Sequence, residues 1–167
     1  MKRISLKLFV ATLLTCLSFS AFSQNYSEQA KMYFGKTLES NSIENLCIAS
    51  LPTIDDCKLI FIGTSAYTFF GFIEDIKSKM KDTEQRPSKT YVEVRVESFT
   101  SNDVVQGKDN YPGGMKEIAG KLQPGVTFYK IEYLKEKGAE SGLVYNCWAK
   151  IDNRWVYFPK PWKVLKY

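Results

Sequence analysis

Histidine is absent from all 167 positions, and this one absence excludes several chemistries at once. Without an imidazole there is no Ser-His-Asp or Cys-His activation of a nucleophile, and no imidazole-bearing zinc or non-haem iron site. Cysteine is sparse too, with four in the chain and no Cys-x-x-Cys spacing, so the usual redox motif is missing. A P-loop is also lacking. Gly114 and Gly120 enclose five residues where four are required, and Leu122 rather than Ser or Thr follows Lys121. Gly113-Gly114 therefore reads as a flexible lead into a capped helix, and no cofactor is expected. Beyond residue 22 no apolar run is long enough to cross a bilayer as a helix.

What is present begins with an address. Lys2, Arg3 and Lys7 precede a charge-free apolar run from Leu8 to Phe22, and Ala21-Phe22-Ser23 supplies a small-x-small cleavage pattern. The expectation is a signal peptide over 1–23, export to the periplasm or the medium, and one domain over 24–167 with no membrane span. Leu13-Leu14-Thr15-Cys16 resembles a lipobox, but Thr is a poor residue immediately before a lipidated Cys. Of 23 basic and 18 acidic residues, three bases and no acids fall in 1–23, which leaves a net charge of +2 for the remainder. So small a charge gives no reason to invoke nucleic acid. Three cysteines remain in a setting that favours oxidation. Cys47 and Cys57 lie close together around Pro52, and a bridge between them would add about 2 to 3 kcal/mol. Cys147 reads as a small apolar core residue on a strand.

Periodicity divides the chain. Asn25 and Glu28 form a capping box, and Tyr26, Ala30, Tyr33, Phe34, Thr37 and Leu38 share one helical face that Asn41 and Ser42 can end. Thr53 caps a short helix over 54–61, with Asp55 and Asp56 at its electropositive start. Phe69, Ile73, Ile76 and Met80 then repeat at helical spacing, with a hairpin over 59–72 as the competing reading. A loop around Pro87 leads to alternation of Val92, Val94 and Val96 with Glu93, Arg95 and Glu97, a strand with one wet face. Met115, Ile118, Ala119 and Leu122 mark a short amphipathic helix. The last third is a meander: Tyr129, Ile131 and Tyr133 on one strand, Tyr145, Cys147, Ala149 and Ile151 on one side of the next, and an Asp152-Asn153 hairpin into Arg154–Phe158.

Three groups of residues could carry function. Tyr129, Tyr133, Tyr145 and Trp148 can line a cavity between helices and sheet, or fill it as core. Glu93, Arg95 and Glu97 form an acid-base-acid row that could orient a ligand or serve acid/base chemistry, against the simpler reading of a solvated or cross-strand paired face. The basic and aromatic C-terminal tail could bind by stacking. Within it Trp162, which follows Pro161 and leaves the sheet, is the candidate interaction surface.

The order of helices, strand, helix and antiparallel meander resembles the cone-shaped nuclear transport factor 2-like superfold, with a cystatin-like or other helix-on-sheet arrangement as the alternative. The expected class is therefore α+β, with N-terminal helices packed on a curved antiparallel sheet. The resemblance implies a pocket at the open end of the sheet, used for ligand binding or for dimerisation. Three readings follow: an exported noncatalytic module that binds a small molecule or an envelope protein as a monomer or homodimer; a small carboxylate- and tyrosine-dependent enzyme; or a secreted inhibitor-like protein that uses a sheet edge or Trp162.

Overall fold

The period-two segments form a four-stranded antiparallel sheet in the computed structural model, which describes residues 26–40, 43–80 and 90–167. The expected signal peptide, the Asn25 cap, the Asn41-Ser42 stop and the loop around Pro87 lie outside the described residues. Strands β1 (Glu93–Thr100), β2 (Thr127–Leu134), β3 (Leu143–Ile151) and β4 (Arg154–Tyr157) pair in chain order. Among the described residues the helices are α1 (26–35), α2 (Thr37–Ser40), α3 (Ile43–Ala49), α4 (Ile54–Ile60), α5 (Thr64–Met80), α6 (Ser101–Gln106) and α7 (Trp162–Leu165). A 3₁₀ helix spans Gly113–Lys121. The fold is α+β, as the patterning requires.

The helical reading of 64–80 holds over the hairpin. Phe69 and Ile73 of α5 are fully buried, while Lys77 and Lys79 pair with Glu74 and Asp75 at the surface. Both sheet faces are covered, rather than the one apolar side expected. On one face Phe99, Phe128, Cys147, Ala149 and Val156 meet α4, α5, the 3₁₀ helix and α7. On the other, Val94, Tyr129, Ile131, Tyr133, Trp148 and Trp155 meet Ala30 and Phe34 of α1 and Ile43 and Cys47 of α3.

Two cysteine and strand expectations are corrected by this layering. Cys47 and Cys57 are free and buried, and they sit in different cores on opposite faces of the sheet, so no disulfide joins them. The cause is α3, which was not anticipated and turns Cys47 toward the aromatic layer. On β3 the expected single-sided row of Tyr145, Cys147, Ala149 and Ile151 is broken. Pairing advances by two residues on β2, from Tyr129 to Ile131, but by three on β3, from Trp148 to Tyr145. The extra residue is a β-bulge with Cys147 at φ 65°. It places Tyr145 and Trp148 on one face and Cys147 on the other.

Two Thr-x-x-Asp capping boxes fix helix starts, Thr53 with Asp56 and Thr100 with Asp103. Asp56 carries more than a cap. It is 2 % exposed, accepts from the Thr53 amide at 2.8 Å and the Thr53 hydroxyl at 2.7 Å, and pairs through Oδ1 with Arg154 at the start of β4. One buried carboxylate thereby ties α4 to the β3–β4 hairpin. Asp56→Ala is expected to cost about 2 kcal/mol, the sum of a lost cap and a lost charge-assisted bond whose other partner remains half in water. Chemical denaturation of both proteins measures it, and a change below about 0.5 kcal/mol would show that the pair is incidental.

Candidate functional site

Just beyond the bulge the same two strands part. Below Tyr129–Trp148 the β2–β3 ladder stops: Thr127 and Lys150 would be the next such pair, and they do not pair. β2 continues alongside β1, through Phe99–Phe128 and Thr100–Thr127, while β3 continues alongside β4, through Lys150–Trp155 and Ile151–Arg154. The sheet forks. Strand alternation turns the backbone groups of Thr127 and Lys150 toward the gap, because Phe128 and Ala149 face the outer strands instead.

An open cleft of about 480 Å³ lies in this fork. One lip is Gly125, Val126, Thr127 and Tyr129, and the other is Ala149, Lys150, Ile151 and Asp152. Leu59 and Ile60 at the end of α4 and Tyr26 at the start of α1 close its sides. The α4 wall is held in place by backbone bonds from Gln123 to Ile60 and from Ile62 to Lys121, at 2.8 and 3.0 Å. Gly125, at φ 74°, makes the turn that leads through Val126 into β2. Chemically the cleft combines aliphatic walls, two phenols, one ammonium and one carboxylate. Burial, with Tyr26 nearby, pushes the Tyr129 phenol up to about 12, so it is a neutral hydroxyl at any physiological pH. Lys150 places its Nζ 5.4 Å from the centre of the Trp155 ring, an attraction that holds the cation at the rim.

Of the four aromatic residues proposed from sequence, only Tyr129 reaches this cleft. Tyr133 and Trp148 are each 1 % exposed and Tyr145 is half-buried beside them. Trp148 stacks on Tyr157 at 4.8 Å and meets Phe34 edge-on at 4.7 Å. The Tyr133 hydroxyl lies 3.0 Å from the Thr37 hydroxyl, and burial pushes that phenol up to about 12. These rings fill the layer between sheet and N-terminal helices.

The charged row lies at the opposite end of β1–β2, on the surface. The Glu93 carboxylate accepts from the Gly138 amide at 2.8 Å and lies 3.6 Å from Arg95 Nε, while Glu97 pairs with Lys130 at 2.9 Å. Trp162 is half-buried, its ring seated against the Cα of Gly114. That contact explains Gly114, and Lys121 is occupied by the carbonyls of Leu165 and Tyr167, so the glycine-lysine stretch serves packing rather than phosphate. Burial raises the thiols of Cys47 and Cys57 to about 12 and drives Cys147 up as well, which leaves all three protonated and unreactive. Among the described residues no group of three or more acidic or cysteine side chains could hold a metal ion.

Sequence reasoning missed the cleft because its lips come from backbone that fails to pair, and residue type records that only indirectly. The available signal was the clash of periods in Tyr145-Asn146-Cys147-Trp148, where two large aromatics stand three apart on a strand that demands two or four. Comparison with protein-family models, with curated proteins and with solved structures finds no match to this chain.

Proposed function

We propose that the protein is an exported, noncatalytic binding domain whose ligand site is the cleft in the forked sheet. The observation that carries this reading is the interrupted ladder. Thr127 and Lys150 present strand backbone to a gap with aliphatic and phenolic walls, a combination suited to a ligand with an apolar body and an amide- or carboxyl-bearing edge. The nuclear transport factor 2-like order of elements implies a pocket at an open end of the sheet, and a cleft at one end of β2 and β3 accords with it. The surface ion pairs of Glu93 and Glu97 and the protonated thiols favour binding over catalysis.

Protein purified from its own host and examined by native mass spectrometry is expected to retain a small molecule or short peptide. Thr127→Trp, which puts an indole into the cleft, should weaken that binding at least about tenfold. Ligand-free protein in every preparation, or a ligand held as tightly by the Thr127→Trp variant, would falsify the reading.

A further inference from the structure

Among the described residues β1 is an edge strand, first in the sheet order and paired on one side only, with β2. Its backbone alternates between the two sides. The Ser101 amide donates to the Val126 carbonyl at 2.8 Å and Phe99 stands opposite Phe128, so odd-numbered residues bond toward β2. Even-numbered residues point outward. Two outward groups are already used: the Thr100 amide donates to Asp103 at 2.7 Å, and the Ser98 carbonyl accepts from Asn110 Nδ2 at 3.4 Å. Among the described residues the outward N–H and C=O groups of Val94 and Val96 and the N–H of Ser98 have no such partner. The free stretch 94–98 is centred on Val96.

Side chains around that centre are self-complementary in one way. Arg95 and Glu97 flank Val96 on the exposed face of the strand, with Arg95 about a third exposed and Glu97 62 % exposed. If two copies of β1 run antiparallel about a two-fold axis at Val96, Val96 stands opposite itself, Val94 opposite Ser98, and Arg95 opposite Glu97 of the other copy, twice. A register centred on Arg95 would oppose Arg95 to itself and Glu93 to Glu97, which like-charge repulsion disfavours. One centred on Val94 would require the outward backbone of Val92, whose amide already donates to the Leu134 carbonyl at 2.8 Å. Val96 is also only partly buried although it points to the aromatic face, so a second Val96 beside it would cover the remaining apolar surface.

We infer that the protein forms a two-fold symmetric dimer through β1, centred on Val96 and held in register by reciprocal Arg95–Glu97 pairs, so that two four-stranded sheets become one of eight strands. The arrangement is isologous and closed, so it ends at two copies. It leaves the cleft free, because the cleft lies between β2 and β3.

Sedimentation velocity on protein from its own host, over about 1 μM to about 1 mM, tests it. The wild type is expected to shift from monomer to dimer within that range. Arg95→Glu and Glu97→Arg should each raise the dissociation constant at least about tenfold, and the Arg95→Glu/Glu97→Arg double variant should return toward wild type because the opposed charges are exchanged. Val96→Pro removes only an outward donor, which edge strands tolerate, and should abolish the dimer while circular dichroism and melting temperature remain near wild type. A wild type that stays monomeric throughout, a dimer unaffected by Val96→Pro, or a double variant as weak as its single parents would overturn the inference.

Discussion

Trp148→Ala is expected to destabilise the protein by about 4 kcal/mol, the usual range for removing a fully buried indole. For a chain of this size such a loss lowers the melting temperature by roughly 10 °C or more. The reason is positional. Trp148 is the last β3 residue to pair with β2, opposite Tyr129, and its ring lies between Tyr157 of the sheet and Phe34 of α1. Truncation therefore opens a cavity where sheet, helix layer and fork meet. Trp148→Phe should behave differently. The indole Nε1 is buried with no hydrogen-bond partner among the described residues, a condition that costs about 1 to 3 kcal/mol. Phenylalanine removes that donor along with part of the ring volume, and the two effects offset, leaving a net loss of about 1 kcal/mol. Urea unfolding of the three proteins decides it: if Phe is as damaging as Ala, the unpartnered N–H carries no cost.

Gly114→Ala is expected to cost about 2 to 3 kcal/mol by overpacking. A methyl at that position would lie 2.5 Å from Cδ1 and Cδ2 of the Trp162 ring, far inside contact distance. The indole cannot simply swing away, because α7 is anchored at both ends, by Pro161 and Leu165 buried against the core and by Lys121 holding the terminal carbonyls. If the clash is the whole cause, Trp162→Ala should absorb it. The double variant would then be no less stable than Trp162→Ala alone, a coupling of about 2 kcal/mol in a double-mutant cycle. Additive losses would place the cost in the glycine backbone instead. The cycle also bears on Trp162 as a surface residue, since a side chain that sets the stability of its own terminus is first of all part of the fold.

Element type was legible wherever one periodicity ran unopposed. Phe69, Ile73 and Ile76 specify α5, and the valines of β1 specify a strand, because burial rewards a single spacing in each. Thr53 announced α4 through its side-chain chemistry, and Asp152-Asn153 announced the hairpin, with Asp152 at φ 50° as such turns require. The helices that escaped notice, α3, α6 and α7, have seven, six and four residues, too few turns to show a period. For the aromatic residues of the sheet the sequence left both readings open, lining a cavity or filling it as core. Whether a ring lines a space or occupies it depends on the opposing surface, here Phe34 and Ala30, some hundred positions away in the chain. The cleft was the least legible feature, since it results from a bulge and from two strands parting, and both are properties of pairing between segments.

The long reach of the N-terminal helices also bears on the order of assembly. Thr37 meets Tyr133 across 96 positions of sequence, whereas each strand finds its partner in the next strand along the chain. The sheet can thus grow hairpin by hairpin from nearby pieces, while the N-terminal segment has nothing to dock on until almost all of the polypeptide has emerged. A protein made or threaded from its N-terminus would remain slack until its last third is available, then close around Phe34. Such late closure leaves the N-terminal segment pliant until the sheet it docks on is complete.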